Sequence, residues 1–477
     1  MTQLLVTHII HGQNLDIFDV THLDVSNATN IDYTFFYTQN LTTLRGLENW
    51  NTRNFTTLSN GFKYLYYISN VNELANWNTS KVTSMYNMFY GCSNLKDISG
   101  LSNWNTSNVT TMYNTFNGCR KLATLNGLEN WDTSNLTSVS NTFAYCTNLT
   151  DISALSNWNT SNVTSMYNTF AYCTNLTDIS GLSNWNVDKV TYFNGTFYNC
   201  TNLTDISALD NWNWNSHTFN RTFGTDVPNM NLGTRNISHS TFISAFPWSA
   251  NYASFNNWYF TDCRFDSLCG APARTTYLNF SISGKRLILR FFGGNDYVNY
   301  QHSFPYVKST GSINAQNVHF GYAYSGCTGL DTINNIVVTN CNSADFMFYN
   351  CRSLVNANNL SLHFASNYYL SCNNMFGNCI KLNDVTCMEN WTFTHASNVG
   401  RHIYMSGMFC MCNNLSDDSL YAITNFFINI GSYVNTNCMN LYNNNSWSPF
   451  YATNISLTNR LDTNQRARLT SAGYRFN

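Results

Sequence analysis

Few side chains in this 477-residue sequence sit at spacings that could carry catalysis. Asp97, Asp151, Asp178 and Asp205 recur at one position of a repeat, and a carboxylate present on every copy reads as structural. Asp226, Asp262, Asp266 and Asp296 fall in an irregular middle stretch. Two carboxylates there could flank a glycosidic bond, as polysaccharide-cleaving enzymes require, but nothing in their spacing brings them together. Cys387, His395, His402, Cys410 and Cys412 cluster in sequence without the paired C-x2-C knuckles of zinc modules, and with no local signature of a thiol nucleophile. Gly293-Gly294 and the other glycines form no phosphate-binding loop. No catalytic residue, metal or cofactor is assigned, and the expectation is a protein that is not an enzyme.

Aromatic side chains are the remaining candidates. Tyr86, Tyr113 and Tyr167 share the position after an inward methionine, and Tyr145 and Tyr172 share another. Both sets are expected to point outward among asparagines. Such tyrosines can stack on sugar rings while their polar neighbours bond hydroxyls, so they are the candidate ligand-binding residues. They equally suit the plain role of tiling a polar coil.

The elements that position them follow from a period. Trp50, Trp77, Trp104, Trp131, Trp158, Trp185 and Trp212 stand 27 residues apart, and a fixed period of this length marks a repeat architecture. The unit from Trp77 continues with Val82, Met85, Phe89, Cys92, Leu95, Ile98 and Leu101 before Trp104 restarts it. Apolar spacing of three matches neither a strand nor a helix. It suits a coil that turns corners and drops one side chain inward at each step. A single coil cannot bury that edge, so neighbours must stack, at a strand-like step of ~4.8 Å. The fold class expected is a repeat solenoid, mainly β and irregular, of parallel 27-residue coils. Asparagines beside the tryptophans (Asn76, Asn78, Asn103, Asn105, Asn157 and Asn159) are expected to bond along the stack as ladders.

Cys92, Cys119, Cys146, Cys173 and Cys200 form a column with the same period. Adjacent coils bring such cysteines within nominal disulfide range, yet a column of five pointing the same way cannot pair fully. Reduced thiols acting as small apolar residues are expected.

The segment Asn76–Leu95, NWNTSKVTSMYNMFYGCSNL, resembles a bacterial surface-protein repeat of about 26 residues found in lipoproteins of mycoplasmas and surface proteins of Gram-positive bacteria. Its F-x2-C-x2-L-x2-I core is similar to the BspA-type leucine-rich repeats. The resemblance covers residues 23–223 closely and 320–415 more loosely. It implies a leucine-rich-repeat-like solenoid displayed on a surface for adhesion.

Along the chain, residues 1–22 are read as an N-terminal cap and 23–223 as the regular solenoid. Residues 224–319 hold four of the five prolines and two alternatives stay open for them. Irregular coils continue, or a β insertion packs beside the stack, since TYLNFSISGKRLILRFF alternates like two strands around Ser283-Gly284. The F-x2-C step returns in 320–415 at Cys327, Cys351, Cys379 and Cys412, whose uneven spacing implies variable loops. Residues 416–477 are read as a C-terminal cap. SDDSLYAITNFFINI is its best helix, with Ser416 as N-cap, and a second helix is expected from Asp462 to Ala472.

Charged residues make up only 10%, the net charge is −2, and the pI lies near 6.5. That supplies no basic field for nucleic acid, and no run approaches the roughly 18 apolar residues of a membrane span. The opening MTQLLVTHIIHGQNLD lacks a basic region followed by a cleavable apolar stretch, so it is not read as a secretion signal. Together with the C-terminal cap, which resembles endings of repeat proteins from bacteriophage genomes, this favours a bacteriophage virion component. A fibre, decoration or receptor-binding protein would be made in host cytoplasm and displayed on the virion surface. Its partners would be a host-surface glycan or protein, other virion proteins, or further copies of itself as a homo-oligomer. The alternatives are an adhesin on a bacterial cell surface and a polysaccharide depolymerase with its site in 224–319.

Overall fold

The computed structural model describes residues 17–21, 23–35, 40–223, 235–243, 245, 258–266, 276–277, 281–284, 287–290, 307–365, 369–394, 402–405, 407–430 and 461–471. The chain forms two compact units, Met1–Gly233 with Ala245–Pro247, and Thr234–Ser244 with Trp248–Asn477. Each is a solenoid of parallel stacked coils.

In the first unit one line of parallel bridges runs Asn30, Thr57, Ser84, Thr111, Ser138, Ser165 and Tyr192, one residue per coil. The segment before the first full repeat already belongs to this stack. Strand Ile17–Asp19 pairs in parallel with Thr43–Arg45, Ile17 opposite Thr43. Short 3-10 turns such as Ser99–Leu101, Ser153–Leu155 and Ser180–Leu182 recur at one position of the repeat. The repeating aspartates sit just before them. Asp97, Asp151, Asp178 and Asp205 accept the backbone N–H of Ser99, Ser153, Ser180 and Ser207 at 2.9, 2.8, 2.7 and 2.7 Å. They hold corners of the coil, as Asp side chains do in turns.

The sharpest corner needs left-handed backbone at two positions four residues apart. Asn87 and Gly91 have φ of 55° and 76°, Asn114 and Gly118 58° and 78°, and Asn141 and Tyr145 54° and 60°. Asn and Gly tolerate this conformation at low cost, which explains their columns. Between corners, backbone N–H groups donate to the next coil: Asn87 to Tyr113 O at 2.9 Å, Phe89 to Thr115 O at 2.8 Å, and Gly91 to Asn117 O at 2.7 Å.

All seven tryptophans of the column are buried, at most 6% exposed. Consecutive indoles stack nearly parallel, for instance Trp104 on Trp131 at 6.3 Å and 3°. Each indole N–H also donates to a carbonyl 30 residues earlier, that of Val20 for Trp50 and of a leucine for the other six: Trp104 to Leu74 O, Trp131 to Leu101 O and Trp158 to Leu128 O, all at 3.0 Å. Phenylalanines form a parallel column, with Phe89 on Phe116 at 5.6 Å and Phe116 on Phe143 at 5.8 Å. The cysteine column is buried and free, and each thiol leans on a phenylalanine carbonyl, as Cys119 on Phe89 O at 3.3 Å and Cys146 on Phe116 O at 3.2 Å.

The expected asparagine ladders beside the tryptophans do not form. Asn78, Asn105 and Asn159 each accept the backbone N–H (3.1 Å) and the hydroxyl (2.7 Å) of the serine two residues on, closing local turns. A short side chain reaches its own backbone before it reaches a neighbouring coil. Cross-coil ladders come from other columns. Thr79 donates to Asn105 O at 2.9 Å, Asn108 to Ser80 O at 2.7 Å, and Asn114 to the Asn87 side chain at 2.9 Å.

In the second unit the coils flatten into longer strands. Arg235–Ser238, Trp258–Thr261, Ser281–Gly284, Ser312–His319, Ile336–Ser343, Leu360–Ala365 and Thr392–Thr394 pair in that order, all parallel. The two strands around Ser283-Gly284 do not pair with each other. Ser281–Gly284 lies between Trp258–Thr261 and Ser312–His319, while Leu287–Arg290 pairs with Arg264–Asp266. Over the described residues of 224–319 the strands pair in parallel from coil to coil, and pairing runs without a break from Ser312–His319 into Ile336–Ser343. The core columns reappear: Tyr324, Phe348, Phe376 and Phe409 stack at 5.5, 5.6 and 5.5 Å, and Trp391 donates to Leu360 O at 2.9 Å.

Helix Asp417–Ile430 closes this stack. Ser416 Oγ accepts the Ser419 N–H at 3.1 Å, and Phe426 packs edge-on against Trp391 at 5.7 Å, covering the last coil. Helix Thr463–Ser471 starts with a reciprocal cap, Gln465 N–H to Asp462 Oδ1 at 2.7 Å and Asp462 N–H to Gln465 Oε1 at 2.8 Å.

Trp131→Ala should cost about 3–5 kcal/mol, since it removes a stack member and an indole bond inside a rigid column. Tyr113→Ala, which loses one outward ring contact, should cost about 1 kcal/mol. Denaturant unfolding checks both, and equal small effects would refute the inward and outward assignment. The thiol column adds a pH effect. Burial pushes the Cys146 and Cys200 thiols up to about 12 from an ordinary 9.0. Above that ordinary value only the unfolded chain releases these protons, so their stabilising contribution is lost as pH rises toward the folded value. The stability gap between wild type and Cys146→Ala should therefore narrow by about 1 kcal/mol from about pH 8 to about pH 10. A pH-independent gap would show a thiol already open to solvent.

Candidate recognition face

The turn with two left-handed corners carries most of the outward aromatic rings. Tyr86 is 41% exposed and stacks on half-buried Tyr113, with centroids 5.3 Å apart and planes at 9°. Tyr167, 43% exposed, occupies the same column two coils beyond Tyr113. Ser140 takes the intervening position, so the expected row is a pair followed by a separate tyrosine. Tyr145 and Tyr172 stack closely, at 4.4 Å and 8°, and Tyr198 meets Tyr172 edge-on at 5.5 Å. Burial and the adjacent Tyr145 hold the Tyr172 phenol above its usual range.

Tyr145 and Tyr172 stand at the left-handed corner, with φ of 60° and 62°. A bulky residue is uncommon there, and such outliers concentrate where function demands a particular geometry. Tyr64 occupies the same column at φ 63°, three coils before Tyr145. Its ring meets Tyr90 at 5.3 Å and 80° and Tyr66 at 5.8 Å, and the Lys63 ammonium lies 5.2 Å from the rings of both Tyr64 and Tyr90. Burial pulls the Lys63 amine below its ordinary range. Sequence reasoning passed over Tyr64, Tyr66 and Tyr90, although the 27-residue period puts Tyr64 in register with Tyr145 and Tyr172.

A second missed feature is a threonine column. Thr56, Thr83, Thr110, Thr137, Thr164 and Thr191 are exposed. Each hydroxyl donates to the threonine carbonyl of the preceding coil at 3.0–3.3 Å, which leaves its oxygen able to accept from solvent or a ligand. The second unit carries a comparable aromatic pair at left-handed corners, Tyr322 on Phe346 at 4.8 Å and 4°.

The other constellations do not assemble into chemistry among the described residues. Asp226 and Asp296 lie outside them, as does the side chain of Asp266. Asp262 has His239 Nε2 at 3.7 Å. Cys387 and Cys412 are buried and lean on Ala357 O (3.2 Å) and Phe376 O (2.9 Å), and His395 lies outside the described residues. No cluster of three or more His, Cys, Asp or Glu that could hold a metal occurs among the described residues. Asp345 accepts the Asn373 N–H at 2.7 Å and the Ser371 hydroxyl at 2.5 Å, while burial raises its carboxyl. The serine thus donates to a carboxylate, and the nucleophile–imidazole bond of a hydrolase triad is not what this group presents. No described helix is long and apolar enough to cross a membrane.

Three overlapping segments, 8–125, 56–152 and 121–233, match the model of a family described as "Mycoplasma protein of unknown function, DUF285". The matches lie in the first solenoid and cover slightly less than half of the chain. No curated protein matches the sequence. Among solved structures, the chain is similar to one titled "Crystal structure of TLR13-ssRNA13 complex", at 12% identity over 80% of this chain and 71% of that chain, with a TM-score of 0.14. The first half of the chain is thus a repeat solenoid similar to the mycoplasma family of unknown function.

Proposed function

We propose that this protein is a non-enzymatic recognition scaffold displayed at a surface, where its outward tyrosines bind a glycan or protein of a host. The observation that supports this reading is the pair Tyr145 and Tyr172. Both residues stand at left-handed corners with their rings stacked at 4.4 Å, Tyr145 exposed and Tyr172 half-buried. A rigid coil fixes such rings in advance, which lowers the entropy lost on binding. Tyr86 and Tyr167, exposed, and Tyr113, half-buried, form a second column of tyrosines on the same coils.

Two bearers of that surface are proposed, a bacteriophage virion and a bacterial cell. The similarity of residues 8–233 to a mycoplasma family favours the cell. Purified protein should bind host cells or immobilised glycans, and the double variant Tyr145→Ala with Tyr172→Ala should lose most of that binding while unfolding near the wild-type temperature. In the native source, sedimentation with phage particles supports the virion and retention on washed cells supports the adhesin. Protein found with neither overturns display. Loss of viscosity in a polysaccharide solution on adding pure protein would overturn the non-enzymatic reading in favour of a depolymerase.

A further inference from the structure

One column of the turn contains a gap. Successive coils place Tyr64, Gly91, Gly118, Tyr145, Tyr172 and Asn199 at the same left-handed corner. Two of these glycines differ in what surrounds them. A Cβ on Gly91 would strike the Tyr64 ring at 2.6 Å, so that glycine is required by packing. A Cβ on Gly118 would meet within 4 Å only the backbone of Gly91, at 3.3 Å, and otherwise open space. The same column carries Tyr145 and Tyr172 at φ 60° and 62°, so a side chain can stand at this corner, with some backbone strain at the 78° of Gly118.

The gap exposes one face of Tyr145. Tyr172 covers the other at 4.4 Å, and the residue that would cover the near face is Gly118. A ring seated over Gly118 would lie one coil step, ~4.8 Å, from Tyr145, which is a stacking distance. Beyond it the Tyr64 ring lies over Gly91 and forms the far wall. The rim is basic. Arg120 and Lys121 are exposed two and three residues after Gly118, and the Lys63 ammonium sits over Tyr64 and Tyr90. The nearby carboxylates Asp97 and Asp151 are already engaged with the backbone of Ser99 and Ser153.

We propose that the notch over Gly118, between Tyr64 and Tyr145, binds one sugar ring of an acidic polysaccharide, with the ring face on Tyr145 and its carboxylate held by Arg120. This rests on the recognition reading above and names its ligand class. Aromatic faces accept the C–H side of a sugar ring, and the guanidinium grips a carboxylate bidentately. Exposed Lys121 adds attraction that weakens with salt.

The test uses the full chain in affinity electrophoresis through gels holding polygalacturonate or neutral dextran, beside binding to host cells. Wild type should be retarded by polygalacturonate and not by dextran. Gly118→Tyr should extend the tyrosine stack into the notch and weaken binding roughly tenfold or more. Tyrosine already serves at three other coils of this column, and denaturant unfolding beside wild type checks the fold, because a Cβ on Gly118 lies 3.3 Å from the Gly91 backbone. Arg120→Gln should weaken binding and flatten its salt dependence. If Gly118→Tyr binds polygalacturonate as wild type does, the notch is refuted while recognition stands. If wild type binds host cells but no acidic polysaccharide, the ligand class is refuted while recognition stands. If it binds neither, both readings fall.

Discussion

The indole hydrogen bond across coils is the interaction on which the solenoid depends. Trp131 stacks on its neighbours at 6.3 and 6.4 Å and also donates to Leu101 O at 3.0 Å. The same side chain therefore supplies apolar area and a second hydrogen bond to a carbonyl that already accepts the Trp104 backbone N–H at 3.2 Å. In a coil with only one bridged residue per turn on its main ladder, many backbone groups lack ordinary sheet partners. Carbonyls that already bond a backbone N–H in their own turn take a second bond across coils from tryptophan N–H, cysteine S–H or threonine O–H, as Leu101 O, Phe89 O and Met112 O do. Thr142 shows the economy of the device, donating to Met112 O at 2.9 Å in one coil and lying 2.8 Å from Val139 O in its own.

The corners impose a second constraint that links fold to surface. Two left-handed residues per turn must be Asn, Gly or a strained alternative. Asparagine at the first corner is consumed by the ladder, as in Asn114 to Asn87 at 2.9 Å. The second corner is freer, and the protein varies it among tyrosine, glycine and asparagine. Its substitutions change what the surface presents without disturbing the core beneath, where Phe116 and Phe143 remain stacked at 5.8 Å. Repetition thus stabilises, and departures from repetition make a local site. The glycine at 118 is such a departure.

Much of this was legible in the primary structure. The period, the inward tryptophans and cysteines, Ser416 as a helix N-cap and a last helix beginning near Asp462 all follow from spacing and side-chain chemistry that act locally. The asparagine ladders were misread for a physical reason. A carboxamide beside Trp77 can bond its own turn or the next coil, and composition does not rank the two distances. The strands around Ser283-Gly284 were equally ambiguous, because alternation marks a strand without naming its partner.

What the sequence determined by itself was the architecture, since seven tryptophans in phase leave stacking as the way to bury them. What only the tertiary structure decided was the surface. Whether Tyr145 is covered depends on a residue 27 positions away, and whether Gly118 is open depends on Tyr64, two coils earlier, leaning over Gly91 alone. Burial of a repeated residue is a property of its column and can be read from one line of text. Exposure of a single ring depends on which side chains are missing around it, and neighbours across coils become adjacent only when the chain has wound.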